Sequence, residues 1–173
     1  NSRHHIGPEL QIGHRLGDHF DEPVLLIKTA WGGKSIYKDF RPPSAGGETG
    51  EYYQRMLMEV DEALKNYQEE FPVLKAMKPK WGGFIWFQGW NDMFNQDALA
   101  QYEENLVHLI KDLRTRLNQP NLPVVVGELG NMGEDAGTNM KFIREAQRKA
   151  CQRKEWKGRV SFVKTTKFAR PKE

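Results

Sequence analysis

Four short apolar runs constrain this chain more than any other feature: Val24 to Ile27, Phe84 to Phe87, Val124 to Val126 and Val160 to Val163. Each is continuous rather than alternating, the pattern of a strand covered on both faces in a parallel sheet. Stripes at helical spacing separate them. Tyr53, Met56, Leu57, Val60, Leu64 and Tyr67 make one amphipathic face, and Leu99, Tyr102, Leu106, Leu109, Ile110, Leu113 and Leu117 make the longest. Asn95 or Asp97 is placed to cap that second helix, and Thr138 or Asn139 to cap another that runs through Met140, Ile143, Ala146, Ala150 and Cys151. A first helix is expected from Pro8 to about Asp21, and the Pro- and Gly-rich stretch from Lys34 to Gly50 reads as a long surface loop. Strands alternating with helices imply right-handed crossovers and a mostly parallel α/β sheet with helices on both faces.

A chain of 173 residues fits a single domain with a substantial core. The net charge of +3 is small, and the basic stretch from Lys141 to Lys157 also carries Glu145 and Glu155. It reads as a solvated helix face, so no nucleic-acid partner is expected. No apolar run approaches the roughly 20 residues of a membrane span, so none is expected to contact a bilayer. Cys151 is the lone cysteine, which excludes an internal disulfide. His4 and His5 are adjacent and without acidic or cysteine partners at metal-site spacing, so no metal is expected. Gly33-Lys34-Ser35 ends like a phosphate-binding loop, but Lys28 stands where that motif needs its first glycine. No cofactor is expected.

The chemistry gathers at the strand ends. Trp31-Gly32-Gly33, Gln88-Gly89-Trp90-Asn91-Asp92, Gly127-Glu128 and Thr165-Thr166 each follow an apolar run. Parallel strands bring all of these to one edge, where open α/β sheets bind ligands. A glycine lets a backbone N–H approach a ligand closely, and an amide side chain adds a second donor. Two donors aimed at one point are what an acyl-transfer oxyanion needs.

Ile6 to Leu10, Pro23 to Ser35, Gly83 to Asp92 and Pro123 to Gly130 together resemble the sialate O-acetylesterase-like branch of the SGNH hydrolases, a family of carbohydrate acetylesterases. Trp-Gly-Gly-Lys-Ser and Trp-Phe-Gln-Gly-Trp-Asn-Asp are the most specific pieces. The resemblance implies a flavodoxin-like, three-layer α/β/α sandwich, a serine esterase without a metal, an acetylated carbohydrate as substrate, and a secreted or periplasmic setting. It assigns the oxyanion hole to the Gly33 N–H and the Gln88 amide, with Asn91 as the rival amide because Gly89-Trp90-Asn91-Asp92 also spells the Gly-x-Asn-Asp of the wider superfamily. Trp31, Gly32, Gly89, Trp90, Asp92 and Glu128 are the expected substrate-lining residues.

The family's Gly-Gln-Ser-Asn nucleophile segment has no counterpart in this sequence, and no histidine here stands in the family's catalytic context. The expectation is therefore a single SGNH-type domain over residues 1–173 that is incomplete at both ends and lacks its first strand. It would be an internal portion of a longer esterase, or a fragment that folds with a complementing segment. The alternative function is a non-catalytic carbohydrate-binding or structural module on the esterase fold.

Overall fold

The computed structural model describes residues 7–169. Its main elements are α1 (Glu9–Gly17), α2 (Glu51–Glu70), β1 (Phe84–Trp86), α3 (Gln96–Arg116), β2 (Val124–Gly127), α4 (Thr138–Cys151) and β3 (Val160–Val163). The strands form one all-parallel sheet in the order β1-β2-β3, with Trp86 beside Val126 and Gly127 beside Val163. The expected α/β class with an open parallel sheet is what the chain adopts.

Sequential parallel strands joined by right-handed crossovers put both connecting helices on the same face. α3 and α4 accordingly pack against each other and against the sheet. Trp86, Val124, Val126 and Val160 point into that layer, where they meet Tyr102, Leu106, Leu109 and Ile110 of α3 and Ile143, Ala146 and Ala150 of α4. Each fully buried aliphatic side chain there contributes about 1.5–3 kcal/mol, which makes the α3 stripe the main source of cohesion. Tyr53 and Met56 attach α2 to the same core.

The alternate strand residues behave differently from expectation. Ile85 is 46% exposed and Phe87 56% exposed, and Val163 is also open to solvent. The run from Phe84 to Phe87 is therefore covered on one face rather than two among the described residues. Val24 to Ile27 was expected as a strand, yet it carries no regular secondary structure and lies outside the sheet. A strand exists only through its ladder, and no described strand lies beside this segment.

Two helix boundaries shift, at the end of α1 and the start of α4, while an expected cap of α3 holds. α1 stops at Gly17 rather than near Asp21, and none of its residues is buried, so no packing extends it. α3 is capped by Asn95, whose side chain accepts from the Ala98 N–H at 2.9 Å. The N-cap of α4 is Gly137 and makes no side-chain bond. The stretch from Lys34 to Gly50 is not a surface loop, because Ile36, Phe40 and Pro42 are buried. Arg41 holds it in a compact coil by donating to the carbonyls of Tyr37, Ala45 and Gly46.

Three buried polar side chains brace the ends of the strands. Gln147 donates from Nε2 to Gln88 O at 2.9 Å and to Gly127 O at 3.3 Å, and its Oε1 accepts from the Leu129 N–H at 2.9 Å. Arg144 donates to the carbonyls of Leu129, Asn131 and Gly133 at 2.7, 2.7 and 2.8 Å, which fixes the loop after β2. Glu128 Oε2 accepts from the Thr165 N–H, the Thr166 N–H and the Thr166 hydroxyl. Burial pushes the Glu128 carboxyl up, but those bonds and nearby Arg144 outweigh it and hold it below the ordinary value of 4.5.

Two expectations follow for stability. Gln147→Leu leaves the Leu129 N–H and the Gly127 carbonyl unsatisfied inside the core, so urea unfolding is expected to show a loss of about 1–3 kcal/mol. Glu128 is more acidic folded than unfolded, so its contribution is present above the unfolded value of 4.5 and is lost as pH falls through the folded one. Melting temperature should drop on acidification through that range, and Glu128→Gln should flatten the drop.

Candidate active site

The residues beyond β1 turn at once into a short 3-10 helix, Asn91–Phe94, and then into α3. Asp92 at the start of that turn is wholly buried, at 0% exposure. Its Oδ1 accepts from the Tyr37 N–H at 3.0 Å, and its Oδ2 accepts from the Ile36 N–H at 3.1 Å and from Gln88 Nε2 at 2.6 Å. Burial raises the Asp92 carboxyl, and these donors bring it only partway back. Two segments more than 50 residues apart in sequence are thus joined through one carboxylate.

Gly33 and Asn91 lie close together at that junction. Gly33 has φ of +73°, in the region that favours glycine. A methyl group placed on it would lie 3.8 Å from Asn91 Nδ2. Among the described residues, neither the Gly33 N–H nor the Asn91 amide has a hydrogen-bond partner. Gln88 is engaged instead. Its Nε2 donates to Lys34 O at 2.9 Å and to Asp92 Oδ2, so both of its N–H groups are taken. Both neighbours are acceptors, which fixes which end of the amide faces them. Its Oε1 is buried and has no donor among the described residues.

The other expected site residues divide into two groups. Gly32 and Trp90 are open to solvent at this edge, and Trp31 is half-buried, with its ring 5.2 Å from that of Tyr52 and the Arg55 guanidinium 5.0 Å above it. Gly89, Asp92 and Glu128 face inward. A side chain on Gly89 would meet Ile143 Cγ2 at 2.8 Å, so that glycine makes room for α4. The carboxylates of Asp92 and Glu128 are spent on protein donors. Gln147 and Arg144 do not stand out in the chain as site supports. Their signal is positional: Gln147 follows Ile143 by four residues, which puts an amide inside the apolar stripe of α4.

A serine and a histidine do meet elsewhere. Ser44 Oγ lies 2.7 Å from His108 Nδ1, and Asp112 accepts from the Ser44 N–H at 2.9 Å. His108 stands twelve residues into α3, about 18 Å along the helix from its first residue at 1.5 Å per residue. The carboxylate holds the serine backbone and not the imidazole, so the trio anchors the 43–45 turn to α3. Burial pushes the Cys151 thiol up to about 12, which leaves it protonated and unreactive at neutral pH. Among the described residues there is no cluster of three metal-ligating side chains, and no helix is long and apolar enough to cross a membrane.

Comparison with known proteins agrees with this architecture. A probable carbohydrate esterase of Arabidopsis thaliana is 28% identical over 146 residues, which covers 82% of this chain and 47% of that protein. The crystal structure of an Arabidopsis thaliana protein bearing the same locus designation superposes with a TM-score of 0.68 at 22% identity, over 92% of this chain and 56% of that one. The chain thus spans about half the length of the proteins it matches. Residues 1–171 match the family described as carbohydrate esterase, sialic acid-specific acetylesterase. The chain belongs to that family of carbohydrate esterases.

Proposed function

We propose that this chain is the part of a serine-dependent carbohydrate O-acetylesterase that supplies the oxyanion hole and one wall of the acyl pocket. The observation that carries the reading is the closeness of Gly33 and Asn91 beside the carboxyl end of the parallel sheet, with neither the Gly33 N–H nor the Asn91 side-chain amide hydrogen-bonded among the described residues. When a hydroxyl attacks an acetyl carbonyl, negative charge builds on the carbonyl oxygen. Fixed donors at that point stabilise it without reorganising. Asn91 takes the amide role, and Gln88, whose N–H groups are committed, braces the turn that presents it. The Ser nucleophile and the His that takes its proton belong, in this reading, to parts of the parent protein outside this segment.

The test is hydrolysis of acetylated sugars by the full-length protein. Asn91→Ala is expected to lower kcat about 10²- to 10³-fold with little change in KM, as for loss of an oxyanion donor. An unchanged kcat would sink the assignment of Asn91. Absence of any ester hydrolysis by the full-length protein would favour the non-catalytic carbohydrate-binding module instead. Asp92→Ala strips three donors of their acceptor at a site with no access to water. It is expected to cost on the order of 3 kcal/mol in urea unfolding, and to lower kcat by displacing Asn91 even where folding is retained.

A further inference from the structure

We propose that Trp90 and Phe94 form the platform on which the sugar ring of the substrate stacks, with Phe94 as a residue that sets specificity for carbohydrate esters. The location follows from the esterase reading of the neighbouring site; ring binding itself does not depend on that reading.

Trp90 precedes Asn91 at the start of the Asn91–Phe94 turn and Phe94 ends it, and both are turned to solvent, Trp90 at 43% and Phe94 at 70% exposure. Their rings make an edge-to-face pair with centroids 6.0 Å apart. Two adjacent rings left exposed keep apolar surface in water, and a ligand that covers them removes that surface from water. The backbone beneath them is held from three directions. Asp92 anchors its inner side, Asn139 Nδ2 donates to Met93 O at 2.8 Å, and Asn95 caps α3 immediately after it. A ligand therefore meets rings that are already ordered, and little conformational entropy is lost when it binds.

The chemistry of the patch selects the ligand class. A pyranose ring offers a face of C–H groups with partial positive charge, which complements the negative face of an aromatic ring. Its hydroxyls need polar partners at the rim. Gln96 and the Nδ2 end of Asn95, whose Oδ1 caps α3, follow Phe94 directly in the chain and are exposed. A purely apolar ligand would leave those amides unused.

The experiment uses the full-length protein. Hydrolysis of 4-nitrophenyl acetate by the unaltered protein first reports whether the esterase reading holds. If it does, KM and kcat are measured for an acetylated methyl pyranoside with the Phe94→Ala and Phe94→Tyr variants. Phe94 is mostly exposed, so folding is not at stake. Phe94→Ala is expected to raise KM about two- to tenfold, as for loss of one aromatic contact, with kcat close to that of the unaltered protein; Phe94→Tyr restores KM. An unchanged KM in Phe94→Ala overturns the proposal. If no ester is hydrolysed, the platform is judged by titrating methyl pyranoside while following the indole N–H resonance of Trp90. A shift that saturates and is lost in Phe94→Ala supports it, and no shift overturns it.

Discussion

A carboxylate with no exposed surface lies at the centre of this structure. Asp92 has no cation against it, and the donors it collects come from two loops that no strand pairing connects. Ionised carboxylates are expensive to bury unless hydrogen-bonded, and here the three donors meet that condition only when both loops are in place. The arrangement is therefore cooperative: each loop supplies what makes the other's position tolerable. The Gly33 turn and the Asn91 turn are held at their separation by this side chain together with Gln88, which donates to Lys34 O.

The same logic extends outward through neutral and charged braces. Gln147 ties the ends of β1 and β2 together, Arg144 gathers three carbonyls of the next loop, and Glu128 holds the turn after β3. Each sits where a strand ladder has ended and its backbone groups would otherwise be unsatisfied. Sheets end in polar debt of this kind, and a site built at such an end inherits rigidity from the groups that settle it. The loops that carry the candidate chemistry are thus braced by side chains that do not face the ligand.

Much of this was legible in the chain, and the failures have physical causes. The stripes of α2 and α3 are long and strictly periodic, so their helices follow directly, as does the parallel order of the three paired strands. Local pattern cannot reveal whether a partner strand exists, and so Val24 to Ile27 reads as a strand but stays outside the sheet. Pro and Gly content suggested a surface loop for Lys34 to Gly50, whereas Ile36, Phe40 and the Arg41 clamp fold it inward. Long-range hydrogen bonding also decides what Gln88 and Asn91 are free to do. Their types are visible in sequence, but which amide is already engaged depends on Lys34 and Asp92. Glu128 and Gly89 stand at strand ends, where the one is bonded to Thr165 and Thr166 and the other makes room for Ile143; a position at a strand end says nothing of the direction in which a residue points.

One feature of the sheet bears on how the chain behaves among its own copies. β1 has an unpaired edge among the described residues, and Ile85 and Phe87 stand exposed beside it, with Val163 on the same open face. A bare strand edge next to an apolar face is a template for strand addition from another molecule. Handled alone at high concentration, the chain would therefore tend towards edge-to-edge self-association and precipitation. Solubility would improve with a charge at Ile85, a position that contributes nothing to the core.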